Sequence, residues 1–85
     1  LLIKSFAPQL PPNSRLNAIS PGIIEDARMT TVRADLDVLA AKKQRTPTQM
    51  FCSSMEVAQL SHYLLFEARN LTGENLNVNG GLYVT

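Results

Sequence analysis

Long apolar runs are missing from this sequence, and none approaches the roughly 20 residues needed to cross a bilayer. The apolar start Leu1-Leu2-Ile3 is broken at once by Lys4, so it does not read as a secretory signal. Cysteine is nearly absent: the single Cys52 excludes an internal disulfide framework and suits a reducing compartment, so the expected location is cytoplasmic. Charge of one sign is lacking too. Eight basic residues against seven acidic ones leave a net +1, which gives no electrostatic footprint for nucleic acid or an anionic membrane. His62 is the only histidine and has no Cys/His/acid cluster beside it in sequence, so no metal site is expected. The glycines Gly22, Gly73, Gly80 and Gly81 are too dispersed to build a glycine-rich phosphate turn ahead of a helix. Eighty-five residues bound the chain to one small domain with a marginal core if it stands alone.

What is present is a series of short, well-punctuated segments. Leu1, Leu2, Ile3, Phe6 and Leu10 recur at helical spacing and stop at Pro11-Pro12. The start in mid-pattern, without Met, suggests a piece of something longer. Leu16–Ile19 reads as a buried strand, with Pro21 closing it and Gly22 letting another group approach the backbone. Ligands of open α/β sheets bind beyond the carboxyl ends of strands, which makes this strand end a candidate binding edge. Met29, Val32, Leu36, Leu39 and Ala40 fit an amphipathic helix, with Lys42, Lys43 and Arg45 at its dipole-favoured end and Thr46-Pro47 as its stop. Ser53 and Glu56 form a capping box for a helix burying Val57, Leu60, Leu64, Leu65 and Ala68. Leu76–Val78 is a second strand, ended by a turn at Asn79-Gly80-Gly81. The order is α-β-α-α-β. A β-α-β crossover predicts two parallel strands, and two strands rarely stand alone, so the first should show a bare edge where others belong. Cys52 and Met50 read as packing residues, His62 as a surface one, and Ser20 as a strand-end residue without triad partners.

Three of these segments carry a resemblance. Arg15-Leu16-Asn17-Ala18-Ile19-Ser20-Pro21-Gly22 resembles the RVNAISPG strand of the short-chain dehydrogenase/reductase family. Thr46–Ala58 resembles that family's xPLGRxGxPEEVA approach to its last long helix, and Leu71–Gly81 is similar to its ITGxxLxVDGG ending. The three come in the family's order and nearly its spacing. The resemblance implies an α/β fold: residues 1–85 would be the C-terminal part of one Rossmann-type, doubly wound parallel sheet, with the cofactor-binding and catalytic half lying before Leu1. It implies NAD or NADP as cofactor and hydride transfer to or from a small carbonyl or alcohol. Backbone at Pro21, Gly22 and Ile24, with Ile23 alongside, would meet the nicotinamide end. Glu25–Gln44 would form the substrate loop and its helix, with Met29, Val32 and Leu36 lining an apolar pocket. The final helix and strand, Val57–Ala68 and Leu76–Gly81, would join copies into a homo-oligomer. Ile24-Glu25 and Met29-Thr30 are similar to the FIETDMT loop of 3-oxoacyl-carrier-protein reductases.

The sequence also departs from the pattern. Asp26 or Ala27 stands where a cofactor-bonding Thr is usual, Met50 and Cys52 replace the Arg and Gly of GRxG, and Asn79 replaces the closing Asp. The family's catalytic Tyr is followed four residues later by Lys, but Tyr63 is followed by Glu67 and Tyr83 lies at the end. No catalytic residue is therefore expected here, and the segment alone should be inactive. The rival reading is a non-catalytic module derived from such a reductase and retained for association.

Overall fold

Proline and side-chain caps set most of the element boundaries. The computed structural model describes residues 2–25 and 36–82. In chain order these form α1 (Leu2–Phe6) with a 3-10 turn at Ala7–Gln9, β1 (Ala18–Pro21), α2 (Leu36–Arg45), α3 (Ser54–Phe66) and β2 (Asn75–Val78). Leu10 is already extended at ψ 153°, as a residue preceding proline prefers, and the helical run ends there. At the end of α2, the Thr46 hydroxyl donates to the Lys42 carbonyl at 2.8 Å and the Thr46 N–H to the same oxygen at 3.1 Å. Ser53 caps α3 by accepting the Glu56 N–H at 3.1 Å, the forward half of the expected capping box.

The two strands are parallel, in the register Ala18↔Asn75 to Pro21↔Val78. β1 lies two residues later than the expected Leu16–Ile19 and includes Pro21. The ladder explains the difference. Ala18 and Gly22 donate to Glu74 and Val78, each at 2.9 Å, so alternate residues of β1 turn their backbone groups to β2. Pro21 falls on the other alternation, and its missing N–H costs that ladder nothing.

Burial is sparse. Among the described residues only Cys52, Leu64, Ala68, Thr46 (1% exposed) and Gly73 are shielded at the level of a core. Leu64 and Ala68 bear out the expected inner face of α3, with Val57 and Leu60 half-buried. Leu65, expected inside, is 66% exposed, because one residue on from Leu64 the helix has turned by about 100°. Met50 is likewise no gap-filler, being 62% exposed. An open groove of about 360 Å³ runs beside β1, with Leu16, Ile19, Leu64 and Leu65 in its walls. The chain exposes 6514 Å², where a compact chain of 9.4 kDa would expose about 5,000 Å². Surface on this scale is what a larger sheet or a partner would cover.

Candidate functional site at the carboxyl ends of the strands

Past Gly22 the chain leaves β2 and takes a new neighbour. Ile24 forms a parallel bridge with Cys52: the Cys52 N–H donates to the Ile23 carbonyl at 3.0 Å, and the Glu25 N–H donates to the Cys52 carbonyl at 2.8 Å. In an extended segment the groups of neighbouring residues alternate in direction, so the Ile24 N–H and C=O face away from Cys52. Neither has a partner among the described residues. The result is one backbone donor and one acceptor, side by side, just beyond a strand end.

This corner is packed tightly from below. A Cβ on Gly22 would sit 2.8 Å from Asn79 Cβ, so the close approach read from the sequence is the Asn79 turn itself. Gly80 and Gly81 have φ of 65° and 88°, and Asn79 Oδ1 accepts the Gly81 N–H at 2.9 Å, which makes this stretch the expected turn. A Cβ on Gly80 would collide with Thr48 Oγ1 and come within 2.6 Å of Thr46 Cγ2. The Thr48 N–H donates to the Gly80 carbonyl at 3.2 Å, tying this turn to the stretch before α3. Lys43 Nζ reaches Glu25 Oε1 at 3.4 Å and lies 5.6 Å from the Phe51 ring centroid, bracing the segment just after Ile24.

Of the predicted site residues, Pro21, Gly22, Ile23 and Ile24 are thus contiguous at this corner. Leu36 is the first residue of α2 and is 79% exposed. Met29, Val32, Asp26, Ala27 and Tyr83 lie outside the described residues. Ser20 Oγ donates to Asn75 Oδ1 at 2.7 Å, a strand-to-strand bond. Among the described residues no group of three His, Cys, Asp or Glu side chains is placed to hold a metal.

The opposite end of the sheet contains what sequence reasoning missed. α3 has no basic residue in its last turn. Arg15 supplies the charge: Nη1 donates to the Leu64 and Ala68 carbonyls at 2.6 and 2.9 Å, and Nη2 to the Leu65 carbonyl at 3.2 Å. Asn17 Nδ2 donates to the Leu71 carbonyl at 2.8 Å while its Oδ1 accepts the Glu74 N–H at 3.1 Å. Thr72 Oγ1 accepts the Leu16 N–H at 3.0 Å. An uncapped helix end followed by a short loop was the available signal; nothing in it pointed to Arg15.

A parallel strand pair with helical crossover and a backbone-lined corner at the carboxyl ends defines part of a Rossmann-type α/β domain. The comparisons with known proteins narrow this. A family model described as enoyl-(acyl carrier protein) reductase matches residues 1–83. The chain is 39% identical over 82 residues to the 3-oxoacyl-(acyl-carrier-protein) reductase FabG of Aquifex aeolicus, covering 94% of this chain and 32% of that protein. It is 33% identical over 73 residues to an acetoacetyl-CoA reductase of an Acinetobacter species, covering 85% of this chain and 29% of that protein. Among solved structures, a short-chain dehydrogenase/reductase of Brucella melitensis superposes with a TM-score of 0.76 at 30% identity, over 99% of this chain and 32% of that one. A small-chain dehydrogenase in complex with NADPH gives a TM-score of 0.67 at 27% identity, over 95% of this chain and 37% of that one. The chain belongs to the short-chain dehydrogenase/reductase family. It spans about a third of the length of the curated relatives it matches.

Proposed function

We propose that this chain serves as the C-terminal part of an NAD(P)-dependent oxidoreductase that moves a hydride to or from a small carbonyl or alcohol substrate. Its share of the work is to present the backbone of Pro21, Gly22, Ile23 and Ile24 to the nicotinamide end of NAD or NADP. The observation that carries the reading is the free N–H and C=O of Ile24. A carboxamide offers one acceptor and one amino donor in the complementary arrangement. When bound, the nicotinamide supplies or accepts the hydride. The Cys52 bridge, the Asn79 turn and the Lys43–Glu25 pair hold the receiving backbone in place. Leu36, together with Met29 and Val32, would line the apolar side of the substrate pocket. These 85 residues hold no Tyr with a Lys four positions on, so proton transfer in the intact reductase falls to residues outside them.

NADH, NADPH or nicotinamide titrated into the ¹⁵N-labelled chain should shift the Ile24 amide first. Ile24→Pro, which removes that donor, should weaken binding about tenfold while leaving the dichroism spectrum unchanged. Equal binding by the proline variant, or shifts confined to other residues, would refute the assignment.

The second reading is the association module, supported by the uncovered outer face of α3, where Met55, Leu65 and Phe66 are each more than 60% exposed. In this reading the last helix and strand bring copies together and no cofactor shift is seen at Ile24.

A further inference from the structure

We propose that Asn79 is a modification site: the turn that follows β2 promotes spontaneous deamidation of its side chain and so places a carboxylate under the Gly22 corner. The reaction needs only water, so the site is independent of the function proposed above.

Six asparagines occur in the chain, and Asn79 alone precedes a glycine. Asparagine is chemically labile where the next backbone nitrogen can reach its side-chain carbonyl carbon. Glycine leaves that nitrogen uncrowded, and Thr46 and Thr48 leave no room for a Cβ at position 80. The Leu82 N–H donates to the Asn79 carbonyl at 3.2 Å, and Gly80 and Gly81 both have positive φ, so Asn79 opens a tight reverse turn. Asn79 Oδ1 accepts the Gly81 N–H at 2.9 Å, which folds the side chain back along the Asn79–Gly80 peptide. The ring closed by that bond contains both Cγ and the Gly80 nitrogen. It also aims a donor at the oxygen on which charge develops when Cγ is attacked. The Gly80 N–H has no partner among the described residues, so no hydrogen bond holds its proton. Asn79 and Gly80 are half-buried, within reach of water.

Asn17 is the contrast. Its Nδ2 and Oδ1 are both tied to the loop before β2, and the nitrogen that would attack it, that of Ala18, donates to Glu74 at 2.9 Å.

The step balances without a co-reactant. The Gly80 nitrogen bonds to Asn79 Cγ, the Cγ–Nδ2 bond breaks, and the amide leaves as ammonia, carrying away the Gly80 proton. Water then opens the resulting five-membered imide. Opening at Cγ gives aspartate, the residue in this place in the VDGG ending that the sequence resembles. Opening at the main-chain carbonyl gives isoaspartate, which adds a methylene to the backbone. The two products should differ in effect. Aspartate can still accept the Gly81 N–H, whereas isoaspartate displaces Gly80 and Gly81 from their close seats against Thr46, Thr48 and Pro47. Loss of the Gly80 proton assists the attack, so the rate rises with pH.

The full chain, aged in mildly alkaline buffer and in the same buffer with urea, tests this by peptide mass mapping with fragmentation. Asn79 should deamidate first among the six asparagines, and about tenfold faster in the native chain than in urea. The rate should fall in mildly acidic buffer. Asn79→Gln, whose attack would have to close a larger ring, should abolish the change at this position. Asn79→Asp should keep the melting temperature of fresh chain, while aged chain enriched in isoaspartate melts lower. A native rate equal to or below that in urea overturns the proposal, because the turn then does not assist the attack. Earlier deamidation at any other asparagine overturns it as well.

Discussion

The two ends of the short sheet are built by different means. At the amino end, side chains do the fixing: Arg15 on carbonyls at the end of α3 and just past it, Asn17 across the loop from Leu71 to Glu74, and Thr72 on Leu16. At the carboxyl end, backbone bonds to backbone and glycine permits the close approach: Ile23 and Glu25 to Cys52, Thr48 to Gly80, and Gly22 against Asn79. The difference bears on function. A corner assembled from main chain can leave main-chain groups free for a ligand, whereas one assembled from side chains has used them.

Substitutions at the two ends should therefore differ in kind as well as size. The largest effect is expected at the backbone-built end. Gly80→Ala forces a Cβ into Thr46 and Thr48 at a positive φ, and should cost about 3 kcal/mol in thermal melts followed by dichroism. A cost near that of an ordinary surface alanine would show that the corner relaxes freely. At the other end, Arg15→Ala leaves three helix-end carbonyls to water and should cost about 1–2 kcal/mol, with Arg15→Lys recovering only part. Full recovery by lysine would mean that charge alone matters and the guanidinium geometry does not. The smallest effect belongs to Lys43→Ala. The Lys43–Glu25 pair is largely in solvent, so its loss should cost about 0.3 kcal/mol and vanish in high salt. A larger, salt-resistant loss would place the stacking on Phe51 above the ion pair.

The same contrast explains what could be read in advance. Local punctuation was legible: Thr46-Pro47 ends α2, Ser53 caps α3, and Gly80-Gly81 turns the chain. Each is decided within a few residues, where sequence and conformation are directly coupled. Pro21–Ile24 was legible as a strand exit, though the pairing of Ile24 with Cys52 was not, because it joins backbone 28 positions apart without requiring a particular side chain. Arg15 escaped for a related reason. Its acceptors are carbonyls 49 to 53 residues away, and every residue has a carbonyl. The outward turn of Leu65 was missed because an apolar pair at Leu64-Leu65 fixes a helix face only to within one residue.

Pro21 also limits how the chain can misassociate. On the edge of β1 away from β2, alternate residues present their backbone outward, and within the strand these are Ile19 and Pro21. Ile19 offers both an N–H and a C=O; Pro21 offers only a C=O. An intruding strand finds a single complete docking step before the ladder fails. An exposed parallel edge is ordinarily a template for open-ended stacking, and this one is too short to propagate it.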